Sequence, residues 1–281
     1  MAETIVKTYG PGHLNFTHLL HSDPSLVELR TAEDLDEVVS DKVMVMERAL
    51  ALKSWVGRQW KFGVPDPYPP WNAVKVLEWI RSGRTGGFCG QYAMVYLQAC
   101  LSVGIQARYI EVGQVTNPYS HFTTEVFLPE FGKWAVLDPT AQPHLASHYL
   151  VDGVPQNALE LHRALLGNRG DQVEVLHDTS VLNGKVRTIG TAIEHYYYFR
   201  VFFRQDQGVN PPPFRNPNDT AGRFTDAVEW TDEETVPWEA TTGESRFPIE
   251  RLTERRTKDP GDLYWVPEMP GWQIINNNSR I

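Results

Sequence analysis

A chain of 281 residues, 41% hydrophobic and 22% charged, carries enough apolar material for one large core, or for a core with a second lobe. A formal net charge of −9 leaves no basic face for phosphates, which sets nucleic acid aside as a partner. No stretch reaches the ~20 apolar residues of a membrane span and the N-terminus lacks an apolar run of signal-peptide length, so a soluble, cytoplasmic protein with no membrane partner is expected.

In chain order, residues 1–39 read as a mixed N-terminal lead, with a strand fitting 25–30. Ser40 and Asp41 are expected to cap a helix running to about residue 59, with Val43, Met46, Leu50 and Val56 on its apolar face. Prolines at 65–70 break the chain. A short helix is expected over 72–81, ended by Gly83. The next helix opens at Cys89 and is apolar nearly all round, so it should be buried; Gly104 ends it. Strands follow at 105–112, 122–128 and 134–137, the last two joined through Phe131-Gly132-Lys133. Helices first and an antiparallel sheet afterwards predict an α+β fold.

Beyond Pro143 the pattern is weaker. Residues 157–166 read as a helix, 173–186 as a hairpin turning at Asn183-Gly184, and 195–203 as an aromatic strand that packs the sheet. Pro211-Pro212-Pro213 opens a Pro/Asn-rich stretch, and 224–245 is acidic without a single Lys or Arg, the composition of an extended, solvated segment. The expected division is a lead at 1–39, a core at 40–145, a core extension at 146–210 and an extended C-terminal segment at 211–281.

The chemistry concentrates at Cys89. Glycines precede it, and a thiol at a helix N-terminus feels the positive end of the helix dipole, which favours the thiolate. His121 and Asp138 follow on segments that read as strands, giving a nucleophile, a base and an orienting carboxylate. Asp138 is expected to accept from Nδ1 of His121 while Nε2 faces the thiol. Cys100 sits mid-helix between Ala99 and Leu101 and reads as a buried hydrophobe, about 16 Å along the same helix and out of disulfide reach. Two free thiols suit a reducing compartment. His144 and His148 would share a helical face, but no glutamate lies between them, so no metal site is expected.

Four blocks carry a resemblance. They are Gly87-Phe88-Cys89-Gly90-Gln91-Tyr92-Ala93, Leu101-Ser102-Val103-Gly104-Ile105-Gln106-Ala107-Arg108-Tyr109, His121 with Glu125-Val126, and Lys133-Trp134-Ala135-Val136-Leu137-Asp138-Pro139-Thr140. Together they resemble the core of the transglutaminase-like superfamily over about residues 40–145, with a spacing closer to microbial transglutaminase-like proteins and peptide N-glycanases than to animal transglutaminases. Phe122 stands where many relatives carry Trp after the histidine, and no Cys-x-x-Cys pair provides the N-glycanases' structural zinc. Arg84-Thr85-Gly86-Gly87-Phe88-Cys89 is also similar to arylamine N-acetyltransferases, although the downstream blocks fit the first family better.

The resemblance implies a papain-like core, buried N-terminal helices packed on an antiparallel sheet, with Cys89, His121 and Asp138 as its reacting residues. It implies a cysteine-dependent acyl transfer on an amide through a thioester, by a protease, amidase or transglutaminase. The substrate would be a peptide, a protein or a small amide; no cofactor or metal is expected. The first oxyanion donor would be the Cys89 N–H, with a second from Trp55, Trp60 or Trp71. Trp60 is preferred because it ends its helix before a loop. The alternative is a silent scaffold that keeps this fold, which a missing member of the three would signal.

Overall fold

The computed structural model describes residues 6–9, 16–114, 117–142, 147–177, 187–188, 192–206, 225–231, 251–256 and 261–264. After a hairpin of β1 (Val6–Tyr9) and β2 (Phe16–Leu19) come α1 (Pro24–Ala32), α2 (Leu35–Val39), α3 (Val45–Gly57), α4 (Ala73–Arg81) and α5 (Cys89–Ser102). The strand expected at 25–30 is the body of α1. Asp23 accepts from the Ser25 N–H at 2.9 Å and Pro24 presets φ in the first turn, so the segment starts a helix. Leu26 and Leu29, one turn apart, then enter the core.

The helix start expected at Ser40 and Asp41 is also displaced. Ser40 instead closes α2, its hydroxyl donating to the Glu37 carbonyl at 2.9 Å. Glu47 reaches back to the Met44 N–H at 3.2 Å and opens α3 there. Helix α4 follows the prediction: Asn72 caps it by accepting from the Lys75 N–H at 3.0 Å, and Gly83 leaves it at φ +74°.

Helix α5 is the centre of the helical layer, with Gly90 through Ser102 buried. Its polar side chains tie neighbouring segments to it. Tyr96 donates to the Ala49 carbonyl at 3.0 Å and Tyr92 to the Trp60 carbonyl at 2.8 Å. Gln98 accepts from the Ala73 N–H at 2.8 Å and donates to the Trp71 carbonyl at 3.1 Å. Each of these polar groups is thereby satisfied by a backbone partner that it fixes in place.

The helices lie on a sheet whose order among the described residues is β12 (Arg251–Arg256), β11 (Thr225–Thr231), β10 (Tyr198–Phe202), β3 (Ala107–Gln114), β4 (Asn117–Leu128) and β5 (Lys133–Val136). It is antiparallel except for β11 with β12. Alternation along the strands separates two cores. Ala107, Tyr109, Phe122, Val126 and Phe202 face the helices, whereas Ile110, Val112, Phe199 and Val201 face a second apolar cluster with α6 (Ala158–Leu166). A smaller sheet of β7 (Val154–Pro155), β6 (Ser147–Val151), β8 (Glu174–His177) and β9 (Arg187–Thr188) completes this side.

The α+β class is as the sequence predicts, and the aromatic strand packs the sheet's interior between β3 and β11. The C-terminal expectation is corrected. Thr225–Thr231 and Arg251–Arg256 join the main sheet, and Leu263 is fully buried in the second cluster. Acidic composition argues for solvation at 225–231, but backbone pairing of β11 with β10 decides the local structure there. The Asn183-Gly184 turn, His144 and residues 211–222 lie outside the described residues, although β8 and β9 do pair antiparallel, Glu174 opposite Thr188. His148 lies on β6, so the helical spacing considered for it does not arise. Among the described residues no helix is long and apolar enough to cross a membrane.

A buried ion pair joins the layers. Arg108 donates to Glu125 from Nε at 2.9 Å and from Nη2 at 2.6 Å, with both side chains fully buried. The guanidinium lies 4.3 Å from the Trp134 ring centroid and also donates to the Leu263 carbonyl. The second Glu125 oxygen accepts from the Ala158 N–H at 2.9 Å and the Tyr264 hydroxyl at 3.2 Å. One pair thus holds β3, β4, the start of α6 and the C-terminal turn together.

Candidate active site

The approach to Cys89 requires glycine for reasons of space. A Cβ on Gly86 would lie 2.5 Å from the Val64 carbonyl oxygen, and one on Gly87 2.6 Å from Trp60 Nε1 and 2.7 Å from Ile80 Cδ1. With no side chains in the way, the Gly63 N–H donates to the Gly87 carbonyl at 2.9 Å, and the strand-like approach is locked against residues 60–64. Phe88 then turns into the helix: its carbonyl accepts from Gln91 and Tyr92, and its N–H donates to Gln91 Oε1 at 3.1 Å. Cys89 is the first residue of α5 and remains partly exposed, whereas Cys100 is completely buried. Burial pushes the Cys100 thiol well above its usual range. The N–H groups of Cys89 and Gly90, at the start of the helix, have no intrahelical acceptor.

His121 and Asp138 come from the sheet. His121 stands on β4 opposite Val112, and Asp138 follows β5 where the Leu137 N–H donates to the Thr124 carbonyl at 3.1 Å. Thr124 also donates its hydroxyl to the Leu137 carbonyl at 2.6 Å, which fixes the backbone just before the carboxylate. His121 Nε2 lies 2.5 Å from Asp138 Oδ2, and the other carboxylate oxygen accepts from the Thr140 N–H at 2.9 Å. Both side chains are buried. The Cys89 thiol is near enough to the imidazole to raise its basicity.

The three sequence-predicted residues therefore meet, with the ring turned the other way from expectation. Nε2 takes the carboxylate and leaves Nδ1 for the thiol; ring orientation depends on strand register, which spacing along the chain does not encode. Burial acts to lower the basicity of His121, but the Asp138 charge and hydrogen bond, and then Cys89, outweigh it and push its pKa up to about 10. An imidazolium at neutral pH is the counter-charge that a thiolate needs.

Trp60 takes a different part from the expected one. Its indole N–H donates to the Gly87 carbonyl at 3.3 Å and its ring stacks on Tyr92 at 4.2 Å, so it braces the loop before Cys89 with its donor already engaged. Trp55 and Trp71 are core residues. Two neighbours have no signal in the sequence. The His195 ring lies 5.7 Å from that of His121, on a 3-10 turn (Ala192–His195). Tyr68, in the proline-rich loop, reaches the first turn of α5. Among the described residues no group of three or more His, Cys, Asp or Glu is placed to hold a metal ion.

Compared with known families, residues 31–139 match the model of the Transglutaminase-like superfamily. No curated protein matches the chain.

Proposed function

We propose that the chain, whose residues 31–139 match the model of the transglutaminase-like superfamily, is a cysteine-dependent acyl-transfer enzyme acting on an amide bond. The observation that carries this reading is the continuous chain from the accessible Cys89 thiol through His121 to a buried Asp138 that is itself anchored by Thr140.

In this reading the Cys89 thiolate attacks the amide carbonyl carbon and the carbonyl oxygen becomes an oxyanion, facing the Cys89 backbone N–H. Imidazolium Nδ1–H of His121 then protonates the departing nitrogen, the C–N bond breaks and a thioester remains. Water, or an amine, gives its proton to the now neutral Nδ1 as it attacks the thioester. Cys89 leaves as thiolate beside a restored imidazolium. Asp138 accepts from Nε2–H throughout, which keeps the free lone pair at Nδ1 in the neutral intermediate. Water is the default acceptor in a site open to solvent, so hydrolysis is the favoured outcome over amine transfer.

A panel of glutamine-containing peptides, with and without a primary amine, tests this by mass spectrometry. The expected results are Cys89-dependent amide or peptide-bond hydrolysis and a transient acyl adduct on Cys89. An amine adduct as the main product would shift the reading to transamidation. Absence of both products, and of any acyl adduct, across the panel would contradict acyl transfer.

A further inference from the structure

Resting on the acyl-transfer reading, we propose that Tyr68 is the second oxyanion donor of the Cys89 site, with its hydroxyl set in place by Gln91. The placement is geometric. A Cβ built on Gly90 would lie 3.4 Å from Tyr68 Oη, so the phenol tip rests on the first turn of α5, over the residue next to Cys89. This is the end of the helix at which the Cys89 and Gly90 N–H groups lack intrahelical acceptors. Two donors converging from a helix start and a facing loop are what a developing oxyanion requires.

Gln91 supplies the independent observation. Its side chain is completely buried, and Oε1 is held by the Phe88 N–H at 3.1 Å. Its Nε2 is buried and makes no close hydrogen bond among the described residues. A buried amide donor without a close acceptor is costly unless the site uses it. The Tyr68 hydroxyl is the group that feels this amide as a hydrogen-bond donor. When Tyr68 Oη accepts from Gln91 Nε2, its own O–H points onward and is free to donate. Phe88, Gln91, Tyr68 and the substrate oxygen then form one directed chain, each member giving a hydrogen to the next.

The phenol also stays protonated. Burial pushes its pKa up, Gln91 opposes this, and the nearby Cys89 raises it further, so Tyr68 remains a donor through the neutral range. Its loop is held from several sides. The ring packs edge-on to Phe88 at 6.1 Å, the Thr85 hydroxyl donates to the Pro67 carbonyl at 2.6 Å, and Gln98 grips Trp71 and Ala73 just beyond. Trp60, with its N–H on Gly87, does not compete for this role.

Two probes of the same thiol separate an oxyanion donor from a structural residue. Iodoacetamide alkylates the sulfur by displacement and forms no oxyanion; p-nitrophenyl acetate acylates it through one. Both rates at Cys89 are followed by intact mass in the wild type, Tyr68→Phe and Tyr68→His. Tyr68→Phe is expected to slow acetylation by at least about tenfold, toward the roughly 10²–10³ lost with one oxyanion donor, with alkylation unchanged within about twofold. Tyr68→His, which restores an N–H, is expected to recover part of the loss. Unchanged acetylation in Tyr68→Phe, or an equal fall in both reactions, would overturn the assignment of Tyr68. A wild-type Cys89 that is alkylated but never acetylated would instead sink the acyl-transfer reading itself, and the Tyr68 role with it.

Discussion

Asp138→Asn should slow acylation of Cys89 by at least about tenfold, and by as much as about 10⁴, the loss seen when the equivalent aspartate of serine proteases is changed to asparagine. The reason lies in which atoms face each other. Asp138 gives one oxygen to Thr140 and the other to His121 Nε2. An asparagine that keeps its oxygen on the Thr140 N–H must turn its NH₂ toward Nε2. Neutral His121 would then accept at Nε2 and carry its proton on Nδ1, where it cannot take one from water or thiol. A cysteine enzyme is expected to lose less than a serine enzyme, because a helix start assists the thiolate.

The same variant has a signature in stability against pH. The pKa of His121 is about 10 in the folded protein against 6.5 as the ordinary value, so the folded state holds the extra proton between these limits. The contribution is fully present below about pH 6.5 and is lost as pH rises toward 10. Wild-type stability should therefore fall across that window, and Asp138→Asn, which removes the main raising influences, should flatten the fall. Denaturant titrations at several pH values would show it. Parallel wild-type and variant curves, together with full acylation, would make Asp138 a turn residue that only serves Thr140.

Glu125→Ala should cost about 3–5 kcal/mol of folding stability, the range for breaking a buried ion pair by removing one partner. The loss would leave the Arg108 guanidinium uncompensated at zero exposure and would remove the acceptor of the Ala158 N–H and the Tyr264 hydroxyl. Replacing both charges, as Arg108→Met with Glu125→Leu, should recover much of this loss, since desolvation of the pair offsets much of its attraction. Equilibrium urea unfolding measures both. A Glu125→Ala protein within about 1 kcal/mol of wild type would mean that the pair does not hold the layers together.

Part of this architecture is legible in the amino-acid sequence alone. Asn72 and Gly83 mark the ends of α4 because caps are local chemistry, and the apolar run after Cys89 fits only a buried helix. Cys89, His121 and Asp138 stand out because one of only two cysteines, preceded by glycines, is followed by a histidine and then a carboxylate on segments that read as strands. Helix α1 is mistaken for a strand although Asp23-Pro24-Ser25 is a helix-start signal, because Leu26 and Leu29 are too few to declare a helical face. The Ser40 start fails because the same residue types end α2 and would begin α3. Tertiary relations leave no local trace: the ring face that His121 offers, the Trp60 brace on Gly87 and the approach of Tyr68 to Gly90. Strand β11 is also set by pairing, against its acidic composition.

Selective alkylation tests most directly whether Cys89 is the nucleophile. The folded protein is treated with one equivalent of iodoacetamide near neutral pH, and the labelled peptide is identified by mass. Modification at Cys89 well before Cys100, slowed in His121→Ala and blocking every later acylation, is the predicted result. Equal labelling of the two thiols, Cys100 first, or full acylation with Cys89 blocked would contradict it.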